Sequence, residues 1–143
     1  MTHDDLVKRA ERWLKNTIHC RVVLCELVAY TRTGEVPDVI GWVGGKSILV
    51  EAKTSRADFL ADQKKHFRYY HDTGLGDWRF YLTPPDLIRV DEIPGSWGVY
   101  EVQGKTIRHL GGAKYANASA APFKSCKDSE VALLISALAR GAG

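Results

Sequence analysis

The chain has 143 residues, 45% of them hydrophobic, and a formal net charge of +3, which suits one domain with its own core and a mild preference for polyanionic partners. Its three cysteines form no Cys-x-x-Cys pair and leave an odd thiol, so neither a zinc knuckle nor a disulfide framework is indicated, and a reducing cytoplasm is the simplest compartment. No apolar run approaches the roughly 20 residues that a membrane-spanning helix needs, so we expect no membrane partner.

Hydrophobic periodicity and turn residues predict alternating helices and strands along the chain. The predicted elements are, in order, a helix at 4–15, strands at 21–28, 38–43 and 47–53, a helix from Ser55 to the residues before Gly74, a strand at 78–83, a hairpin of strands 97–102 and 106–110, and a last helix that ends at Gly141. The apolar face of that last helix is predicted to consist of Val131, Leu134, Ile135 and Leu138.

These elements indicate an α/β fold with two parts. Residues 1–112 form the main domain. The stretch from Gly111 to Pro122 is rich in Gly, Ala, Ser and Asn, which is typical of a linker, so residues 113–143 are expected to form a linker followed by the last helix. We expect that amphipathic helix to pack on the same domain or on a dimer partner.

Two acidic residues and a lysine are predicted to meet on the first hairpin. Alternation along the second strand places Glu51 and Lys53 on one face, and a tight Gly-Gly turn returns Asp38 to a position beside Glu51. Adjacent carboxylates raise each other's pKa unless a cation lies between them. The pattern therefore predicts that Asp38 and Glu51 hold Mg²⁺, with Mn²⁺ as a substitute, helped by a backbone carbonyl such as that of Ala52. Lys53 would orient or activate the attacking water, or neutralise charge that develops on a phosphate.

The motifs Pro37-Asp38 and Glu51-Ala52-Lys53 resemble those of the PD-(D/E)XK nuclease superfamily. The resemblance spans about residues 26–110, is most specific at 55–59 and 62–64, and is similar to the MmcB-type DNA repair proteins of that superfamily. It implies a restriction-endonuclease-like mixed β-sheet flanked by α-helices, and Mg²⁺-dependent cleavage of DNA or RNA. The alternative is an exposed structural acid and a surface ion pair, because each motif alone occurs by chance in many charged sequences.

The resemblance also implies roles for three residues outside the two motifs. Gln63, in line with the apolar stripe of the second helix, would reach the metal or the scissile phosphate; the alternative is a core glutamine with its hydrogen bonds satisfied. Glu26, expected in the middle of a strand, would join the metal ligands; the alternative is a paired charge on an edge strand. Glu11, on the flank of the first helix, competes for the same place or is an ordinary surface charge.

Basic residues near the second motif favour a nucleic acid partner. Lys64, Lys65 and Arg68 are expected on the outer faces of the second helix, and Arg56 lies where that helix begins. These residues suit contacts with backbone phosphates, although Asp58 and Asp62 could instead pair with them on a solvated helix face.

The function predicted from these residues and from the resemblance is Mg²⁺-dependent hydrolysis of phosphodiester bonds of DNA in repair or recombination, with RNA as an alternative substrate. A nuclease with one site per chain cuts both strands of a duplex most easily as a homodimer, so dimerisation is also expected. The alternative function is a catalytically inactive nucleic-acid-binding or complex-assembly protein that keeps the nuclease fold.

Overall fold

A computed structural model describes residues 1–27, 29, 31–116 and 120–141. The chain forms a six-stranded mixed β-sheet whose strands lie side by side in chain order. The strands are β1 (Val22–Cys25), β2 (Val39–Val43), β3 (Lys46–Ala52), β4 (Trp78–Thr83), β5 (Gly98–Gln103) and β6 (Thr106–Gly112). The central strands β3, β4 and β5 are parallel, whereas β1, β2 and β3 and the pair β5–β6 run antiparallel. The predicted α/β fold with a mixed sheet is confirmed.

Four helices flank the sheet. They are α1 (His3–Trp13), which continues into a π-helical turn (Leu14–Ile18), α2 (Arg56–Asp62), α3 (His66–Tyr69) and α4 (Lys127–Ala139). Thr2 caps α1, because its hydroxyl accepts a hydrogen bond from the N–H of Asp5 while the Asp5 carboxylate accepts one from the N–H of Thr2. Within the described part of the chain, none of the helices combines the length and the apolar character needed to cross a bilayer.

The sheet carries an apolar cluster on each face. On one face, α1 packs against the strands through a cluster that includes Leu6, Ala10, Leu14, Val50 and Phe80. On the other face, α2 and α4 pack through a cluster that includes Leu49, Phe59, Tyr81, Leu133 and Ala137. Each large apolar side chain buried in this way contributes roughly 1.5–3 kcal/mol to folding. Since Leu49 and Glu51 alternate onto the same face of β3, Glu51 lies beneath α2.

The helix predicted to begin at Ser55 is interrupted. Ser55 caps α2 as expected, since its hydroxyl accepts from the N–H of Asp58 at 3.2 Å, but α2 ends at Asp62 and Lys65 is extended, with ψ of 142°. In a continuous helix, positions 62 and 68 would point about 120° apart, because each residue turns the helix by roughly 100°. The interruption lets both side chains point inwards, and Nε of Arg68 donates to Oδ2 of Asp62 at 2.9 Å.

The strand predicted at 21–28 is shorter in the structure. β1 ends at Cys25, and Glu26 adopts a left-handed φ of 51°, so Glu26 does not lie in the middle of a strand. Its N–H donates to the carbonyl oxygen of Asp38 at 2.9 Å, which ties the end of β1 to the start of the first hairpin. Val28, the last residue of the predicted strand, lies outside the described residues.

The last helix packs on its own domain, but mostly not through the predicted apolar face. Of the four residues of that face, Val131, Ile135 and Leu138 are exposed on this domain, and Leu134 is partly buried against the apolar cluster. The buried side instead carries Leu133, Ala137 and the carboxylate of Glu130, which accepts from the hydroxyl of Ser47 at 2.6 Å and from the N–H of Gly76 at 2.9 Å. These buried polar contacts set the rotation of α4 against the sheet. Residues 117–119 of the predicted linker lie outside the described residues.

Candidate functional site

The β2–β3 hairpin places Asp38 beside Glu51, as the sequence predicted. Val39 pairs with Val50, so Asp38, one residue before β2, faces Glu51 in β3. The N–H of Asp38 donates to Oε2 of Glu51 at 3.1 Å, and the N–H of Ala52 donates to Oδ2 of Asp38 at 2.8 Å. Each carboxylate is therefore oriented by the backbone of the opposite strand.

Asp38 and Lys53 line one cleft of about 250 Å³ beside this hairpin. The other lining residues are His3, Ala52, Asp58, Ala61, Asp62 and Lys65. The ammonium of Lys53 lies 3.4 Å from Oδ1 of Asp62, and most of the Lys53 side chain is buried. The Asp38 carboxylate and the Lys53 ammonium thus line the same cleft. There the carboxylate can face a cation while the ammonium faces a phosphate oxygen.

Two residues that line this cleft, His3 and Asp38, could hold a cation together with Glu26. One ligand atom from each of His3, Glu26 and Asp38 lies within 4.8 Å of the other two. Within the described part of the chain, these are the residues found to form a group of three or more His, Cys, Asp or Glu side chains close enough to share an ion. Nε2 of His3 is 3.0 Å from Oε1 of Glu26 and 3.6 Å from Oδ1 of Asp38. Neighbouring ligands of an octahedral ion with metal–oxygen distances of about 2.1 Å lie roughly 3 Å apart. The spacing therefore fits a divalent cation, and it also fits an ion pair when His3 is protonated.

Arg68 lies directly behind the cleft and contacts three carboxylates. Nη1 donates to Oε2 of Glu35 at 2.7 Å, Nη2 to Oε1 of Glu51 at 2.5 Å, and Nε to Oδ2 of Asp62 at 2.9 Å. The Arg68 side chain is only 4% exposed, and its partners are buried too. The expectation that Arg68 contacts phosphates is wrong for this structure, because the guanidinium faces the interior and is neutralised there.

Burial and charge shift the pKa values of these acids in different directions. Burial, reinforced by the neighbouring charge of Asp38, raises the pKa of Glu51, and burial also raises the pKa values of Asp38 and Glu35. Burial would raise the pKa of Asp62 as well, but Arg68 and a hydrogen bond of 2.6 Å from the hydroxyl of Tyr81 hold it well below its usual range. Asp62 is thus the acid that stays charged, while Glu51 takes up a proton readily.

Gln63 does not occupy the position that the sequence analysis gave it. Its neighbour Asp62 points into the interior and lines the cleft, whereas Gln63 is only half-buried and absent from the cleft lining. Among the described residues, no hydrogen-bond partner is found for the buried Nε2 of Gln63.

The other candidate residues lie at the rim of the cleft or away from it. Lys65 lines the cleft, with its ammonium 3.3 Å from Oδ1 of Asp62, and Lys64 is exposed. Arg56 makes a bidentate ion pair with Glu92, at 2.7 and 2.5 Å.

Glu11 forms an ion pair of 3.1 Å with Lys15, four residues on along the chain. It belongs neither to the cleft lining nor to the candidate cation ligands, whereas Glu26 belongs to the latter. Of the two acids that competed for the metal site, the structure thus brings Glu26 to Asp38.

Sequence reasoning missed four residues of this site. His3 and Glu35 carry no local signal, because both come to the site only through the folding of distant segments. Tyr81 lies in β4, which is rich in aromatic residues and buried along its whole length, so its local sequence does not distinguish it from a core residue. Asp62 could have been found, since it follows Phe59 by three residues and so shares its buried helix face.

Comparisons with known proteins give no family for this chain. No family model matches it, and no curated protein matches it. Among solved structures it is similar to a protein of unknown function from Silicibacter pomeroyi, with a TM-score of 0.64 and 24% sequence identity, over 98% of this chain and 89% of that chain. At this identity the likeness shows a shared fold alone.

Proposed function

We propose that this chain is a divalent-cation-dependent nuclease that hydrolyses phosphodiester bonds of DNA, in repair or recombination. The observation that carries the proposal is the meeting of Asp38 and Lys53 in one cleft, with a carboxylate oxygen of Glu26 within 4.8 Å of one of Asp38. Phosphodiester hydrolysis needs a nucleophilic water and a positive environment for the charge that develops on the phosphate. This cleft offers groups for both requirements.

Asp38, Glu26 and His3 would hold the cation, and Glu51 is a further candidate. Both oxygens of Glu51 already accept hydrogen bonds, but each carboxylate oxygen has a second lone pair that can face a cation. Carboxylate oxygens suit both Mg²⁺ and Mn²⁺. A bound divalent cation would lower the pKa of a coordinated water and withdraw charge from the phosphate.

Lys53 is positioned to act on the substrate. Its ammonium has three N–H donors and Asp62 occupies one side of it at 3.4 Å, so other donors remain for a phosphate oxygen or for the attacking water. Because Asp62 stays charged, it attracts the Lys53 ammonium and holds it at the cleft. Lys65 extends the positive charge to the rim, where the DNA backbone would approach.

The test is cleavage of labelled single-stranded, duplex and branched DNA with Mg²⁺, Mn²⁺ or EDTA. We compare the wild type with Lys53→Met and with Lys46→Met, a matched control at the exposed opposite end of β3. Cleavage should require the metal, should fall about 10²- to 10³-fold in Lys53→Met, as when one transition-state donor is removed, and should persist in Lys46→Met. Binding of Mn²⁺, followed by calorimetry, should weaken in Asp38→Asn.

Intact DNA under every condition, or equal activity of the two lysine variants, would refute the proposed nuclease activity. We would then favour the second candidate function, a nucleic-acid-binding or complex-assembly protein without catalytic activity. It is favoured by one observation, namely that Arg68 and Lys53 already neutralise the buried acids from within the protein.

A further inference from the structure

Two adjacent tyrosines at the end of α3 project into solvent. Tyr69 is 78% exposed and Tyr70 53% exposed. Their ring centroids lie 5.2 Å apart in an edge-to-face arrangement, and the Tyr70 ring also packs against the His66 ring at 4.8 Å. Large aromatic rings are usually mostly buried, but most of the Tyr69 side chain is exposed to solvent in this fold. The Tyr70 ring contacts the Tyr69 ring on one side.

The aromatic surface is connected to the cleft through Lys65. The N–H of Tyr69 donates to the carbonyl oxygen of Lys65 at 3.3 Å, which places the two residues one helical turn apart. The ammonium of Lys65 lies at the cleft, 3.3 Å from Asp62. The exposed charged residues from 64 to 73 are Lys64, Lys65 and Asp72, so the local charge is positive.

We infer that residues 64–70 form a platform for single-stranded nucleic acid, on which a base stacks against Tyr69 while the backbone passes Lys64 and Lys65 towards the cleft. The inference rests on the proposed function, since it names the form of substrate that the same cleft would receive. Bases of a single strand expose their faces and stack on aromatic rings regardless of sequence. Bases of a duplex already stack on each other, so a duplex gains nothing from an exposed tyrosine ring.

The test measures binding in EDTA, where no metal-dependent cleavage occurs, by fluorescence anisotropy. The probe is a labelled oligothymidine of about 15 nucleotides, near the upper limit of typical single-strand sites, compared with a duplex of the same length. Tyr69→Ala should weaken binding of the single strand by roughly 5- to 150-fold, the range for loss of one base–aromatic stack. Tyr69→Phe keeps the ring face and should keep wild-type affinity, and binding of the duplex should be the same in all three proteins.

The inference is overturned if Tyr69→Ala binds the oligothymidine as the wild type does, if the duplex loses affinity equally, or if Tyr69→Phe is as weak as Tyr69→Ala. It is overturned as well if the wild type binds no single strand. A circular dichroism spectrum like that of the wild type shows that Tyr69→Ala is folded. Tyr69-dependent binding without cleavage of any DNA would defeat the proposed function and leave this platform standing, whereas cleavage unaffected by Tyr69→Ala would defeat the platform alone.

Discussion

Arg68→Met tests whether the buried guanidinium supports the fold as well as the site. Methionine fills much of the same volume but leaves Glu35, Glu51 and Asp62 without the cation that contacts all three. Breaking a buried ion pair by removing one partner costs about 3–5 kcal/mol, and with three carboxylates affected we expect the upper part of that range. A chain of 143 residues has a total stability of roughly 7–21 kcal/mol, so the variant should still fold.

The assay is urea denaturation followed by tryptophan fluorescence. The matched control is Arg89→Met, because the Arg89 side chain is 75% exposed and makes surface ion pairs, with Asp91 at 3.3 Å and with Glu92 at 3.7 Å. The control should unfold at the same urea concentration as the wild type, while Arg68→Met should unfold at a clearly lower one.

The loss in Arg68→Met should also depend on pH. Burial already raises the pKa values of Glu35 and Glu51, and in the wild type Arg68 opposes that rise. Without Arg68, the pKa values of these acids in the folded state rise further above their unfolded values. The folded variant then retains protons that the unfolded chain releases, so the destabilisation is largest at high pH and shrinks as the pH falls through the raised values. A loss below about 1 kcal/mol, or an equal loss at acidic and alkaline pH, would refute the reasoning, because a buried uncompensated charge has to show both effects.

Two further predictions compare matched positions by urea denaturation. A Cβ added at Gly98 would lie 1.9 Å from the carbonyl oxygen of Ala113, so Gly98→Ala should cost roughly 1–3 kcal/mol, whereas Gly95→Ala, with nothing within 4 Å, should cost nothing measurable. On α4, Leu133→Ala should cost about 2–5 kcal/mol because the residue is fully buried, while Leu138→Ala should leave stability unchanged because its side chain is 70% exposed. Equal costs within either pair would contradict the packing described for that region.

The features that could be predicted from sequence are those that neighbouring residues specify. Gly44 and Gly45 adopt the positive φ values, 57° and 78°, that a tight turn requires, and strand alternation then brings Asp38 to Glu51. The cap at Ser55 is equally local. The α/β fold class follows from the order of such elements, because each element's period and turns are visible in its own stretch of chain.

The features that could not be predicted depend on residues far apart in the chain. Arg68 has the same local sequence signal whether its guanidinium faces phosphates or buried carboxylates, and two of its three carboxylate partners, Glu35 and Glu51, lie 33 and 17 residues away. Likewise Glu130 accepts a hydrogen bond from Ser47, 83 residues away, and with this contact buried, three of the four residues of the predicted apolar face of α4 are exposed. A buried charge needs partners of opposite charge or hydrogen bonds, and only the folded structure determines which residues lie close enough to supply them. The tertiary structure alone therefore decides which acids and bases of this chain face the cleft and which neutralise one another inside.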